Sequence, residues 1–315
     1  MPDGIGVLSK CGIKEASAWG EAWSAVDTML PINDESLITT IQRIETMALE
    51  GVAGRRVGKQ GLVEVAGALN SDLDYYNFGS ILEAAMGTDT TGVYTLADNN
   101  TKIIKIEFEK AVSRWRINSA KIQKMTISGN KGEALKIATD IIGMTPSRSA
   151  TAFPSISLSS YSQVLFSNSV SASFIRIGNQ DDALDSGDNI DAESFSLELT
   201  NNFKADDYSS LSRYALDPLR NGKRDVVFNV KLPRYSADTI PDWKDAGTPL
   251  QATLYFTDGT KTLLIEIPEF EISEGFNMNI GGSEILVQEG PGNCYLNSSN
   301  TPMTAISSEF RITIT

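Results

Sequence analysis

The sequence predicts a mainly β protein built as two tandem β-sandwich domains, each with a flanking helix, and three observations predict it. Short apolar–polar alternations bounded by Gly, Asn and Asp recur along the 315 residues, and a period of two is that of a half-buried strand, whose side chains point alternately to opposite faces. A single long stretch has clear helical spacing instead. The second half of the chain also repeats landmarks of the first in the same order.

Taken in order, "SLITTIQRIETMAL" from Ser36, "LVEVAGAL" from Leu62, "KIIKIEFE" from Lys102, "KIQKMTIS" from Lys121 and "ALKIATDII" from Ala134 read as strands separated by turns. Between them, Phe78, Ile81, Leu82, Ala85 and Met86 fall at i, i+3, i+4, i+7 and i+8. This is one face of a helix, with Ser71 or Asp72 as its cap and Gly87 as its stop. A shorter helical segment, "IPDWKDAG", precedes Gly247.

The repeat appears when the halves are overlaid. "ESL" at Glu35 matches "ESF" at Glu193, "GK" at Gly58 matches Gly222, "GT" at Gly87 matches Gly247, and "TKIIKIE" matches "TKTLLIE", Lys102 answering Lys261. The shifts are 158, 164, 160 and 159 residues, so they differ only by the length of a loop. A divergent tandem duplication follows, with domains at 1–150 and 151–315 and the join in the Ser/Thr/Pro-rich "TPSRSATAFPSISLSS". Each half is large enough to bury a core of its own. Two copies are too few for a solenoid and suggest a ring with internal pseudo-symmetry.

Composition removes whole classes of chemistry. Histidine is absent, which excludes imidazole-dependent triads and His-ligated zinc. Cys11 and Cys294 lie near opposite ends, too few for a disulfide framework. No stretch approaches the roughly 20 apolar residues that span a bilayer, and the opening residues lack a secretory pattern, so a soluble protein without a membrane partner is expected. The net charge of −13 is uneven: 16 Lys and Arg face 18 Asp and Glu in residues 1–150, against 11 and 22 afterwards. An acidic surface repels phosphates and disfavours tight nucleic-acid binding.

Three motifs invite a chemical reading. "GVAGRRVGKQG" has the look of a phosphate loop, but its Gly-to-Gly-Lys spacing is wrong and Gln60 stands where a hydroxyl is needed. It reads instead as a long, basic hairpin loop. "DDALDSGDNIDAE" puts Asp182, Gly187 and Glu193 at positions 1, 6 and 12 of a calcium loop, yet Leu184 and Ser186 spoil positions 3 and 5. A solvated acidic loop is the simpler account, and no metal or cofactor site is assigned. Trp19, Trp23, Trp115 and Trp243 suit either a sugar-binding platform or cores and interfaces. No catalytic set emerges, so no enzyme is expected.

Several segments carry a resemblance to a known family. "CGIKEASAWGEAWSAVDTMLPINDESL" from Cys11 resembles the opening of the tail tube (major tail) proteins of long-tailed bacteriophages, in their duplicated-domain version. "ALEGVAGRRVGKQGLVEVAGALNSDLDYYNFGSILEAAMG" and "KIQKMTISGNKGEALKIATDIIG" continue the likeness, and "NIDAESFSLELTNNF" with "PLRNGKRDVVFNVKL" is similar to a second copy. The resemblance implies two β-sheets and a helix per domain and pseudo-hexameric rings of three chains. It further implies stacking into a hollow virion tail tube that is assembled in the host cytoplasm and conducts DNA without specific binding. Tape-measure and tail-terminator proteins would be its other partners. Within that picture Gly54, Arg55, Arg56, Gly58 and Lys59 form an inter-ring contact loop, since the glycines give freedom and the cations oppose the acidic second half. Excess carboxylates would line the pore and spare moving DNA from drag. The alternative is a β-sandwich module that recognises carbohydrate or a host surface.

Overall fold

The computed structural model describes residues 9–45, 58–110, 112–166, 173–234, 237–272, 274–276, 287–297 and 302–315. In the first half the elements are β1 (Lys10–Ala16), β2 (Thr28–Leu30), β3 (Asp34–Glu35), β4 (Ile38–Ile44), β5 (Lys59–Asp72), α1 (Gly79–Met86), β6 (Gly87–Asp89), β7 (Val93–Leu96), β8 (Ile103–Glu109), β9 (Arg114–Asn130) and β10 (Lys136–Ser149). The second half adds β11 (Phe174–Asn179), β12 (Ser194–Thr200), β13 (Asp225–Leu232), α2 (Thr239–Ala246), β14 (Leu250–Thr257), β15 (Thr262–Ile272), β16 (Gln288–Cys294) and β17 (Arg311–Ile314). The protein is mainly β, as expected, and every ladder between the named strands is antiparallel.

Two runs of neighbouring strands organise the chain. In the first half the order is β4-β5-β10-β9-β8-β1-β2. In the second it is β12-β13-β16-β15-β14-β11. Two ladders join the halves: β12 pairs with the C-terminal part of β9, Leu197 opposite Ile127, and β17, which also flanks β15, pairs with β7. The repeated strands β8 and β15 do not pair with each other; β8 lies between β1 and β9, and β15 meets β14, β16 and β17.

Similar local features recur in the two halves. Glu107 lies opposite Arg116 across β8 and β9, and Glu266 lies opposite Arg311 across β15 and β17. In both places the pair is an ion pair, at 2.9 Å for Arg116 and 2.6 Å for Arg311. Both helices are eight residues long and end at a glycine in the left-handed conformation, Gly87 with φ 97° and Gly247 with φ 61°. That region is open to glycine at little steric cost, which is why "GT" marks both stops.

The first helix begins later than its spacing suggested. Ser71 and Asp72 belong to β5, where Ser71 faces Ile137 and Asp72 faces Lys136, so neither is free to cap. Asp74 organises the turn instead, its carboxylate accepting hydrogen bonds from the amides of Tyr76 and Asn77. The apolar stripe is as read: Phe78, Ile81, Leu82, Ala85 and Met86 are all buried. Each large member contributes about 1.5–3 kcal/mol by leaving water.

The Ser/Thr/Pro-rich join also differs from a simple linker. β10 runs on to Ser149 opposite Arg114. Residues beyond 150 then pack back on the first half, where the amide of Leu135 donates to Val164 and the amide of Val164 donates to Leu73. Phe166 stacks on Phe195 at 5.7 Å, and Phe195 stacks on Phe256 at the same distance. A single apolar core therefore runs through both halves.

Candidate assembly surfaces

The hairpins β4–β5 and β12–β13, which the sequence repeat aligns, place the surfaces of interest. β12 is the third strand of a set: its inner edge pairs with β13, its outer edge with β9, and Phe195, Leu197 and Leu199 are buried. β4 pairs with β5 on one side only among the described residues. Ile38, Ile41 and Ile44 are 67%, 40% and 57% exposed, and Leu62 of β5 is exposed beside them. An open strand edge with apolar side chains is a template for pairing with another chain unless it is covered.

Of the predicted inter-ring residues, Gly54, Arg55 and Arg56 lie outside the described residues. Gly58 and Lys59 are at the base of the loop, with Lys59 exposed opposite Ile44 as β5 begins. A side chain at Gly58 would come within 3.0 Å of the Ile44 carbonyl, so glycine suits the close approach of the two strands there.

The counterpart connection, residues 201–224 between β12 and β13, lies across the first half. The Val63 amide donates to the Arg213 carbonyl, Arg213 donates to the Gln60 side chain at 2.8 Å, and the Trp19 indole donates to Ala215 at 3.0 Å. Lys121 pairs with Asp217 and donates to the Pro218 carbonyl. The segment thus continues the β4–β5 ribbon as an added edge and presents Leu211, 96% exposed, with Leu216 and Leu219 also exposed. Sequence reading missed these leucines. The signal was available, because the 164-residue shift at Gly222 against 158 at Glu193 marks an enlarged loop at the equivalent of the basic loop.

The remaining sequence candidates have local partners. In the acidic loop Asp185 and Asp188 cap a short 3₁₀ turn reciprocally, Asp182 accepts from Asn179, and Glu193 pairs with Lys231. Among the described residues no three Asp, Glu or Cys side chains are grouped to hold a metal ion. The tryptophans are engaged separately: Trp19 with Ala215, Trp23 under the Arg116 guanidinium, Trp115 between Lys110 and Arg148. Trp243 lines a groove of about 800 Å³ with Ile177, Ile190, Leu232 and Ile240. Cys11 and Cys294 are buried, and burial first of all pushes both thiols upward from their ordinary pKa, so neither is a ready nucleophile.

An open strand edge among the described residues and an apolar ledge, on a mainly β protein, suit a subunit that builds on itself. A family model described as phage tail tube protein matches residues 6–294. The chain belongs to the phage tail tube family. No curated protein matches it. The family is a structural one whose members are components of the virion tail and associate with themselves and with other tail proteins. Among the described residues no helix is long and apolar enough to cross a membrane.

Proposed function

We propose that three copies of this chain close into a pseudo-hexameric ring, each copy supplying two equivalent domains, and that the rings stack into the hollow tube through which DNA leaves the virion. The observation that carries the reading is the asymmetry of counterpart strands. β12 has its outer edge filled by β9 of the same chain, while β4 keeps its outer edge open among the described residues. A module whose second copy is already docked on the first, and whose first copy keeps the same edge free, is built for head-to-tail association. Such heterologous contacts form a closed ring when the rotation per step divides a full turn. Closure also removes the open edges that strand-rich subunits otherwise expose.

In this reading the basic loop with Gly54, Arg55, Arg56, Gly58 and Lys59 reaches the next ring. Tape-measure and tail-terminator proteins meet the inside and the end of the tube, and DNA passes without specific contacts. Assembly takes place in the host cytoplasm, and the chain performs no catalysis and needs no cofactor. Electron microscopy of the purified protein with mass measurement of its particles tests this: rings of three chains, or tubes built from them, are expected. A monomer at all concentrations that binds glycans would replace the reading with that of a carbohydrate-recognising module.

A further inference from the structure

Where the two halves meet, a polar cluster has formed under α1. Asn201, 1% exposed, follows β12 directly and donates from its side chain to the carbonyls of Ala85 (2.9 Å), at the end of α1, and Ile122 (3.0 Å), on β9. Its amide donates to Gln123. Its own oxygens accept from Arg220, whose third contact is the Asp98 carbonyl at 2.5 Å. Four residues on, Arg224 grips Glu309 with two hydrogen bonds, at 2.7 and 2.6 Å, and donates to the Ala97 carbonyl at 2.8 Å. Both members of the Arg224–Glu309 pair are nearly buried.

These groups come from several elements on both sides of the junction. Ala85 belongs to the first helix, Ala97 and Asp98 to the turn after β7, Ile122 and Gln123 to β9. Asn201, Arg220 and Arg224 frame the β12–β13 connection, and Glu309 leads into β17. The β9–β12 ladder by itself resembles a hinge pin, because adjacent strands in a sheet twist over a range of about 25°. A planar guanidinium held at both ends by a carboxylate and a carbonyl removes that freedom, since its donors have fixed directions. Charge supports the geometry: Arg220 and Arg224 are neighbours of like sign, and Glu309 balances them.

We infer that the Asn201–Arg220–Arg224–Glu309 cluster is a positioning device that sets the angle between the two halves, and through it the closure of the ring. The inference rests on the ring reading above for its consequence but not for its local effect. In a head-to-tail assembly an error in the intrachain angle is repeated with every chain, so the product becomes an open arc or a helical filament in place of a closed ring. A residue that only stabilised the monomer would lower its melting temperature and leave the particles round.

The test uses the full chain and three variants: Arg224→Gln, Glu309→Gln and the conservative Arg224→Lys. Spin labels on cysteines introduced at the exposed positions Lys136 and Thr260 report the distance between the halves in the unassembled chain. Electron microscopy reports ring closure. The expected result is a broadened or shifted distance distribution in both Gln variants, most particles becoming open arcs or rings of altered diameter, and partial return of closed rings with Arg224→Lys. Closed rings of unchanged diameter together with an unchanged distance distribution in a folded Gln variant would overturn the inference. Should Arg224→Gln fail to fold, Glu309→Gln decides by the same two measurements. A parent chain that forms no ring overturns the ring reading, while the label distances still decide whether the cluster fixes the angle.

Discussion

The two hairpins of this molecule share a plan and differ in their company. β12–β13 is buried on both edges, and its long connection lies along the first half. β4–β5 extends past the strand that should flank it, with β10 reaching only as far as Val65, and its isoleucines face solvent. The same local signal, Glu-Ser and an apolar residue, leads into both strands, yet their burial is opposite. Tertiary context decides strand burial more than local propensity does. In the ring reading proposed above, the covering that β12 receives from its own chain is left to another copy at β4.

The sharpest way to break this comparison is a charge at equivalent positions. Leu199 of β12 and Ile41 of β4 are 158 residues apart and occupy corresponding sites. Leu199→Asp places a carboxylate in a fully enclosed apolar site and should cost roughly 4 kcal/mol or more, enough to deplete folded protein. Ile41→Asp should change monomer stability by less than about 1 kcal/mol and yet suppress assembly. Denaturant titration of both variants, with electron microscopy of the second, checks this. Equal losses of stability would mean that the β4 edge is already covered within the monomer.

The repeated ion pair offers a second contrast. Glu107 is fully buried between Arg114 (2.7 Å) and Arg116 (2.9 Å), whereas among the described residues Glu266 pairs with Arg311 and no second cation, and is more open. Glu107→Gln leaves two guanidinium groups without their counter-charge and should cost about 3–5 kcal/mol. Glu266→Gln should cost about 1–3 kcal/mol, the range of a single charged hydrogen bond. Urea midpoints give the difference directly, and a reversed order would show that Arg114 is satisfied by Ser149 and Thr151 without Glu107.

Much of this was legible in the sequence for identifiable reasons. Period two located β5, β8, β9 and β10, the stripe from Phe78 to Met86 located α1, and glycine at 87 and 247 located both helix stops, because each signal is local. What was missed is non-local. Nothing in "TNNFKADDYSSLSRYALDPLRNGKR" announces that Arg213 meets Val63 or that Arg224 meets Glu309, since those partners lie 85 to 150 residues away. The cap of α1 was misassigned because strand pairing with β10 outcompeted capping by Ser71 and Asp72. The lysine in "KIIKIEFE" also hid its role: Lys105 looks like an outward residue of an alternating strand but is fully buried.

Lys105 supplies a third, smaller contrast. Its ammonium donates to Glu21 at 2.8 Å, to the Ala22 carbonyl and to Ser24, and so fastens the segment after β1 over the sheet. The corresponding residue in the second half is Leu264, which offers no such bond. Hydrogen bonds from Lys105 first, and from Ser17 after it, hold the Glu21 carboxyl at about 2, below its ordinary 4.5. A depressed carboxylate pKa stabilises the fold above the unfolded value and loses that contribution as pH falls through the folded one. The advantage of wild type over Glu21→Gln should therefore be full at pH 6 and fade between about 4.5 and 2. Urea midpoints at pH 6, 4 and 2.5 measure it, and a gap that stays constant with pH would contradict the ion pair.

The smallest effect on the monomer is expected where the two halves differ most in charge. Arg55 and Arg56 lie outside the described residues, in the basic sequence of a half that is nearly neutral, whereas the other half carries 22 carboxylates against 11 cations. Opposite patches steer encounter and set register between copies, chiefly by raising the rate of association, and they are screened by salt. If the proposed inter-ring loop is right, Arg55→Glu with Arg56→Glu should leave the urea midpoint within error, as surface ion pairs contribute roughly 0–1 kcal/mol. Tube formation should slow markedly, and the defect should be largest at low salt, where like charges now repel across the ring contact. Turbidity or light scattering during assembly at two ionic strengths follows this. Normal tube growth by the double variant at low salt would remove the loop from the contact between rings, and would leave β4 and the leucine ledge at Leu211 as the surfaces through which copies meet.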